Sequence, residues 1–424
     1  MACIMKAIAV AIVVGSVVSG QKELEIDKDE NIEPFSLLCR IYNVARNPPI
    51  NYVDLQEADT IVEEIDVLNT SLVEPKLHNE TEQMGNGGEA MISPAAMRET
   101  AIAQISLNQI TQKAHTVLDE INKMDAAKEI ENAKAEFNKV IFGENGNESE
   151  LDKGALSGVN GRTTACGSPG GGAKGINAGK SLVVDFFCLC ARNPEEQGVN
   201  QVCGFYVGVK DSKIGWNESD PMGSSTMWAS IKGGCGKHMQ QHPKSTAEAR
   251  HILDQFLKHL KTGGVYRWGN GKTIDGSERK EGMLGTGVGN KEDSGNGPVC
   301  NGKKGGKLPS SPGGVCVYYG PKSDNWEEKI EWLKQFETAL ASVDAVNNQT
   351  ANIQRSTRKL QMLLQRAEEI YETAKVISEV QNPVSLPAAF QNASGNLTAY
   401  NATRTRSYSY SSHPHFILLF FPLL

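Results

Sequence analysis

The sequence predicts a mainly α-helical protein, in which an elongated antiparallel three-helix coiled-coil bundle carries an inserted disulfide-rich, glycine-rich lobe. The bundle is predicted by residues 93–142 and 324–375, because both segments show apolar stripes with heptad spacing. Neither segment contains a glycine, and their one proline is Pro94, at the start of the first segment. Residues 143–323 predict the lobe, because they hold most of the 42 glycines and seven of the nine cysteines.

The first two helical segments are separated by Pro48 and Pro49. Apolar side chains recur at helical spacing in residues 35–42 and again in residues 52–72. We expect these N-terminal pieces to form the third member of the bundle.

The two long segments are each expected to be one continuous helix. Ser93 is the predicted cap of the first, with Pro94 at its first helical position, and Asp324 is the predicted cap of the second. An apolar stripe on a long helix needs a partner, so antiparallel packing of the two helices is expected.

The inserted region, residues 143–323, is predicted to contain little regular structure. Strands are expected at 181–189, 204–209 and 315–319, and one helix at 245–260. Loops are expected in the glycine-rich runs GSPGGGAKG, GTGVGN and NGKKGGK.

Residues 1–20 have the layout of a secretory signal peptide, whose removal would take Cys3 with it. An even number of cysteines in a secreted chain predicts four disulfides, which offset the entropy of the loops, although spacing leaves the pairing open. The remaining eight are Cys39, Cys166, Cys188, Cys190, Cys203, Cys235, Cys300 and Cys316.

The C-terminal end is predicted to carry a lipid anchor. Residues 376–407 read as a flexible glycosylated stalk, and residues 408–424 as a glycosylphosphatidylinositol (GPI) addition signal that is removed. Ser407 is the expected attachment residue and Asn401 the alternative. Candidate N-glycosylation sites are Asn69, Asn79, Asn147, Asn217, Asn348, Asn392, Asn396 and Asn401.

No enzyme, cofactor or metal site is expected from the motifs. Two Gly-Lys-Ser/Thr tripeptides, at 179–181 and 271–273, lack the earlier glycine of a phosphate-binding loop, and the Gly-x-Gly-x-x-Gly match at 170–175 does not follow a strand. Cys235, His238 and His242 have zinc-ligand spacing, but a disulfide and surface histidines are favoured. A net charge of −7 without long charged blocks argues against a nucleic-acid partner.

Residues 164–192 carry a family resemblance. They contain ACG at 165–167, GKSL at 179–182 and DFFCLC at 185–190, and they resemble the signature of the shorter, congolense-type variant surface glycoproteins of African trypanosomes, whose N-terminal domain is of the B type. The best-known members carry a further cysteine-rich C-terminal domain, whereas here no cysteine follows Cys316.

The resemblance implies a homodimer that is fixed by GPI to the outer leaflet of the plasma membrane and faces host antibodies. The implied function is a dense surface coat that shields the cell from antibody and complement by antigenic variation. Two alternatives stay open: a receptor for a host protein on the same helical scaffold, and a secreted enzyme with a cleft in the lobe.

Overall fold

The computed structural model describes residues 24–72, 94–195, 198–210, 212–237, 242–269, 273–290, 297–305 and 312–381, and this part of the chain is mainly helical. The helices are α1 (Ile32–Arg46), α2 (Gln56–Ser71), α3 (Pro94–Asn122), α4 (Ala126–Phe142), α5 (Arg162–Cys166), α6 (Leu182–Cys190), α7 (Ser224–Lys237), α8 (Thr246–Thr262), α9 (Trp326–Lys329) and α10 (Glu331–Gln381). The strands are β1 (Gly167–Ser168), β2 (Ala173–Lys174), β3 (Gly264–Gly269), β4 (Ile274–Lys280), β5 (Met283–Gly289) and β6 (Gly313–Tyr318).

Helices α3 and α4 pack against α10 in the opposite direction. Residues 99–106 of α3 line a groove with residues 362–377 of α10, the amide of Gln349 donates to the carbonyl of Met124, and the amide of Gln335 donates to Glu136. Residue numbers therefore rise along α3 and α4 as they fall along α10, which confirms the antiparallel pairing.

The prediction of one continuous helix over 93–142 is wrong. Lys123 to Asp125 separate α3 from α4, and Asp125 adopts a left-handed conformation with φ of 42°. Aspartate tolerates this conformation better than most residues, so no glycine is needed at the break. Gln349 of α10 donates to the Met124 carbonyl, which supplies a hydrogen-bond partner at the interruption.

The prediction that Asp324 caps the last long helix is also wrong. Residues Lys322–Asp324 form a 3-10 turn, Asn325 is left-handed with φ of 51°, and α9 follows. Ile330 is extended and fully buried, and α10 begins only after it. The helix then continues to Gln381, beyond the expected end at residue 375.

The N-terminal helices divide between two cores. Helix α2 packs on α3 and α10, where Ile65, Leu107 and Leu360 belong to one apolar cluster. Helix α1 packs instead on α4, α6 and α8, and its Phe35 and Leu38 belong to a second cluster around the inserted region. The helical predictions for 35–42 and 52–72 are confirmed.

Two strand predictions in the inserted region are wrong. Residues 182–190 form α6, whose start is capped by the Ser181 hydroxyl accepting from the Val184 N–H. All nine residues are buried, and such a run has no polar face to reveal its period. Residues 204–209 form no strand, since Gly204 and Gly208 have φ of 88° and 93°. The predicted helix at 245–260 is confirmed as α8, with Ser245 as its cap.

The inserted region contains more regular structure than predicted. Strands β4, β3, β5 and β6 form a sheet in that order, with β3 and β5 parallel and the other pairs antiparallel. The strand expected at 315–319 lies in β6, but the run GTGVGN, expected as a loop, supplies most of β5. A Cβ at Gly285 would meet the Val315 carbonyl and Leu189, so the glycine lets α6 approach the sheet closely.

Candidate functional site

Four disulfides join the eight cysteines that were predicted to be paired. Three lie within the inserted region, at Cys166–Cys188, Cys190–Cys203 and Cys300–Cys316. The fourth, Cys39–Cys235, spans 196 residues of sequence and links α1 to α7. The cross-links therefore hold the inserted region together and also attach it to the first helix.

Cys188 and Cys190 lie on α6, in the stretch where a strand was expected. Two residues differ by about 200° around a helix, which directs these side chains to different sides. Cys188 accordingly bonds to Cys166 in α5, and Cys190 bonds to Cys203 in the loop beyond α6.

Asp185, in the first turn of α6, is fully buried and accepts three hydrogen bonds. One carboxylate oxygen accepts from the Gly179 N–H at 2.9 Å. The other accepts from the Tyr319 hydroxyl at 2.8 Å and from the Trp332 indole N–H at 2.7 Å. Burial raises the pKa of Asp185 to about 6, and the three donors oppose that rise. Because no solvent reaches this carboxylate, it joins elements and is unsuited to proton transfer with a substrate.

Arg162, at the start of α5, is also fully buried and lies against the other end of α6. Its guanidinium donates to the carbonyls of Cys188 at 3.0 Å and Trp216 at 2.9 Å, and at 3.4 Å to Phe187. Burial lowers the pKa of Arg162 to about 9. The negative Asp185 lies in the first turn of α6, and the positive Arg162 lies at the last carbonyls of the same helix. Each charge therefore has the sign that the helix dipole favours at its end.

Asn31, fully buried just before α1, connects that helix to both α6 and the sheet. Its amide donates to the Leu189 carbonyl at 2.9 Å and the Val315 carbonyl at 2.8 Å. Its side-chain oxygen accepts from the Thr286 hydroxyl at 3.0 Å. Three buried polar side chains thus join α6 to its neighbours, one of them on α6 itself, and none was predicted from the sequence to have a structural role. The available signal was the lone carboxylate of Asp185 within a nine-residue apolar run.

Comparison with known proteins identifies the family. A family model described as "Trypanosomal VSG domain" matches residues 13–94 and 86–362. This chain belongs to the trypanosomal variant surface glycoprotein (VSG) family.

Two curated VSGs of Trypanosoma congolense are similar to this chain. Variant surface glycoprotein YnAT 1.1 is 26% identical over 230 residues, which cover 49% of this chain and 51% of the relative. Variant surface glycoprotein YnAT 1.3 is 27% identical over 259 residues, which cover 57% and 53%. The match therefore spans about half the length of these relatives.

The candidate glycosylation sites of this VSG differ in their surroundings. Asn147 lies exposed in a loop and Asn348 exposed on α10, whereas Asn69 and Asn217 are half-buried. The Asn69 side-chain oxygen accepts from Gln104 at 2.8 Å, and the Asn217 amide donates to Glu195 at 3.3 Å. The sites outside the described residues are Asn79, Asn392, Asn396 and Asn401.

The remaining motifs have structural explanations or lie outside the described residues. Cys235 is bonded to Cys39 and so is no zinc thiolate, and His238 is outside the described part. In the run 179–181, the Gly179 N–H donates to Asp185 and Ser181 caps α6. The signal peptide at 1–20, the anchor signal at 408–424 and Ser407 also lie outside the described residues.

Within the described residues, no helix combines the length and the apolar character that crossing a bilayer requires.

Proposed function

We propose that this VSG is a coat glycoprotein, held on the outer face of the plasma membrane by GPI, that shields the cell from host antibody and complement. Membership of the VSG family is the observation that carries the proposal. Antigenic variation then acts on the exposed loops of the inserted region, since its disulfides and buried polar contacts hold the scaffold while loop residues change.

The length of α10 supports a spacer role. Its 51 residues correspond to about 75 Å at 1.5 Å per residue. Its first residues pack beside the cross-linked inserted region, through Trp332 and Asp185. Its last residues, up to Gln381, extend into the segment that was expected to be a flexible stalk from residue 376 onward, and they precede the expected anchor signal. We propose that α2, α3, α4 and α10 form a coiled-coil rod that holds the inserted region away from the membrane.

A homodimer is part of the proposal, and a groove between α3 and α10 supports it, because large apolar side chains are exposed on its partly polar walls. The groove has a volume of about 600 Å³, and Ile102 and Met362 on its walls are 49% and 63% exposed. Ile102 lies about 200° around α3 from Gln104, which contacts α2 through Asn69. The groove thus lies on the face that α2 leaves uncovered, where a second copy can bury these side chains.

Deletion of residues 408–424 tests the anchor. The full-length chain should stay on the cell surface and be released by phosphatidylinositol-specific phospholipase C, whereas the deleted chain should be secreted into the medium. Retention of the deleted chain on membranes, or recovery of a full-length surface form that still contains residues 416–424, would contradict the proposal.

Counting surface copies tests the coat function separately from the anchor. A coat needs neighbouring molecules close enough to exclude antibody from the membrane, whereas a receptor for a host protein needs only a small number. Quantitative surface labelling of intact cells should therefore find this chain among the most abundant surface proteins when it is expressed. A low copy number together with one tightly bound host ligand would favour the receptor instead.

A further inference from the structure

A cavity between the last turns of α8 and the segment before α10 carries an unusual charge arrangement. It has a volume of about 430 Å³, and three lysines line it: Lys258 and Lys261 from α8, and Lys322 from the 3-10 turn. This volume falls within the range of small-molecule sites. Glu327 is the single carboxylate among the described residues that line it.

The three ammonium groups are not neutralised by ion pairs within the described part of the chain. Lys258, Lys261 and Lys322 are all exposed, and none forms an ion pair with a described carboxylate. Like charges that face one concavity repel each other, and an anion bound between them offsets that repulsion. Lysine is a compact point charge with three donors, which suits the oxygens of sulfate or phosphate groups.

The walls that carry these lysines are firmly placed. The Trp326 indole N–H donates to the Gly320 carbonyl at 3.0 Å, which sets the ring against the cavity. Helix α8 is held on α10 by Asp344, which accepts from Arg250 at 2.7 Å and from Thr246 at 2.6 Å. The backbone that carries the lysines is therefore in place before any ligand arrives, and binding has to order only the three exposed side chains.

We propose that this cavity binds a short polyanionic ligand, and that a sulfated oligosaccharide is the form it takes at a cell surface. The anion site follows from the cavity alone, whereas the choice of sugar depends on the extracellular position in the proposed function. A confined site on a chain with net charge −7 suits a short anionic segment better than a long polyanion such as a nucleic acid.

Titration calorimetry of the purified full-length glycoprotein with a heparin-derived tetrasaccharide, in 50 mM NaCl, tests the proposal. The double variant Lys258→Gln/Lys261→Gln should bind at least about tenfold more weakly than wild type, because two charge-assisted contacts are lost. Glu327→Gln should bind about threefold more tightly, because the opposing carboxylate is removed. Loss of stability does not produce a gain in affinity, so the pair of results separates binding from misfolding.

The matched control is Lys113→Gln/Lys359→Gln, which removes the same charge from exposed positions on α3 and α10. Its affinity should stay within about twofold of wild type, and circular dichroism should show all variants folded. Equal weakening in the control, absence of binding to wild type, or equal binding of the desulfated tetrasaccharide would overturn the site. Tighter binding of inorganic phosphate or of a short DNA strand would overturn the choice of a sulfated sugar. None of these outcomes depends on whether the chain is lipid-anchored.

Discussion

The indole N–H of Trp332 donates a 2.7 Å hydrogen bond to the carboxylate of Asp185, which joins the first turn of α10 to the first turn of α6. The hydroxyl of Tyr319, just after β6, donates to the same oxygen at 2.8 Å. The long helix, the sheet and the buried helix therefore meet at one acceptor, so the junction between them depends on this carboxylate.

Asp185→Asn should destabilise the protein by about 1–3 kcal/mol at pH 7, because an amide cannot accept from all three donors. Whichever way the amide lies, its NH₂ faces either the Gly179 N–H or the Trp332 N–H. Urea unfolding with the disulfides intact measures the loss. In Trp332→Phe one donor is removed and none is added, so the carboxylate of Asp185 keeps two partners. An Asp185→Asn protein that is as stable as wild type would refute the role of the carboxylate as a shared acceptor.

The contribution of Asp185 should also depend on pH. Its pKa is about 6 in the folded protein, against 3.8 as the ordinary value. The folded state therefore binds a proton at Asp185 more tightly than the unfolded state does. The stability contributed by this protonation is complete below pH 3.8 and is lost as the pH rises through 6. The difference corresponds to ~3 kcal/mol. The free-energy gap between wild type and Asp185→Asn should thus be wider at pH 4 than at pH 7, and a gap that is constant with pH would contradict the buried ionisation.

Gly302→Ala should be strongly destabilising, because a Cβ there would collide with the guanidinium of Arg162. Gly302 also has φ of 76°, a conformation that alanine adopts at a cost. Gly158 is the matched control, since its φ is 69° but nothing lies within 4 Å of its Cβ position. We expect about 1 kcal/mol for Gly158→Ala from backbone strain, and about 2 kcal/mol more for Gly302→Ala from the clash. Equal losses in urea unfolding would remove the packing argument.

Ile102→Glu/Met362→Glu should dissociate the proposed homodimer, because it would replace two buried apolar side chains by carboxylates that lose water on association. Sedimentation equilibrium of the lipase-released protein should show at least a tenfold weaker dimer. The control is Val67→Glu, since Val67 is 61% exposed and lies on α2, away from the groove. A wild-type protein that sediments as a monomer would refute the dimer, and dissociation by Val67→Glu alone would place the contact elsewhere.

The helical half of the fold was predictable because its pattern is periodic and one-sided. Each long helix has one apolar stripe, which contains Leu107 and Val117 on α3 and Leu360 on α10. These stripes predict which face of each helix is buried, and the structure buries those faces. The break at Asp125 was not predictable, because its left-handed conformation needs no glycine and leaves the apolar spacing almost unchanged.

The inserted region was harder to predict, because its elements lack polar faces. Residues 182–190 are apolar throughout, and β5 is rich in glycine, so neither shows a period that separates helix, strand and loop. The contact between Arg162 and Gly302 joins residues 140 positions apart, which no local pattern records. The number of disulfides could be inferred from an even cysteine count, but their pairing required the three-dimensional arrangement.

The Cys39–Cys235 bond has a consequence for proteolysis. A single backbone cut anywhere between these two residues leaves both fragments covalently joined. The nicked molecule would migrate as one band on a non-reducing gel and as two after reduction. If the chain is anchored at its C-terminal end as proposed, one such cut cannot release the N-terminal fragment, and the proposed coat would keep its thickness.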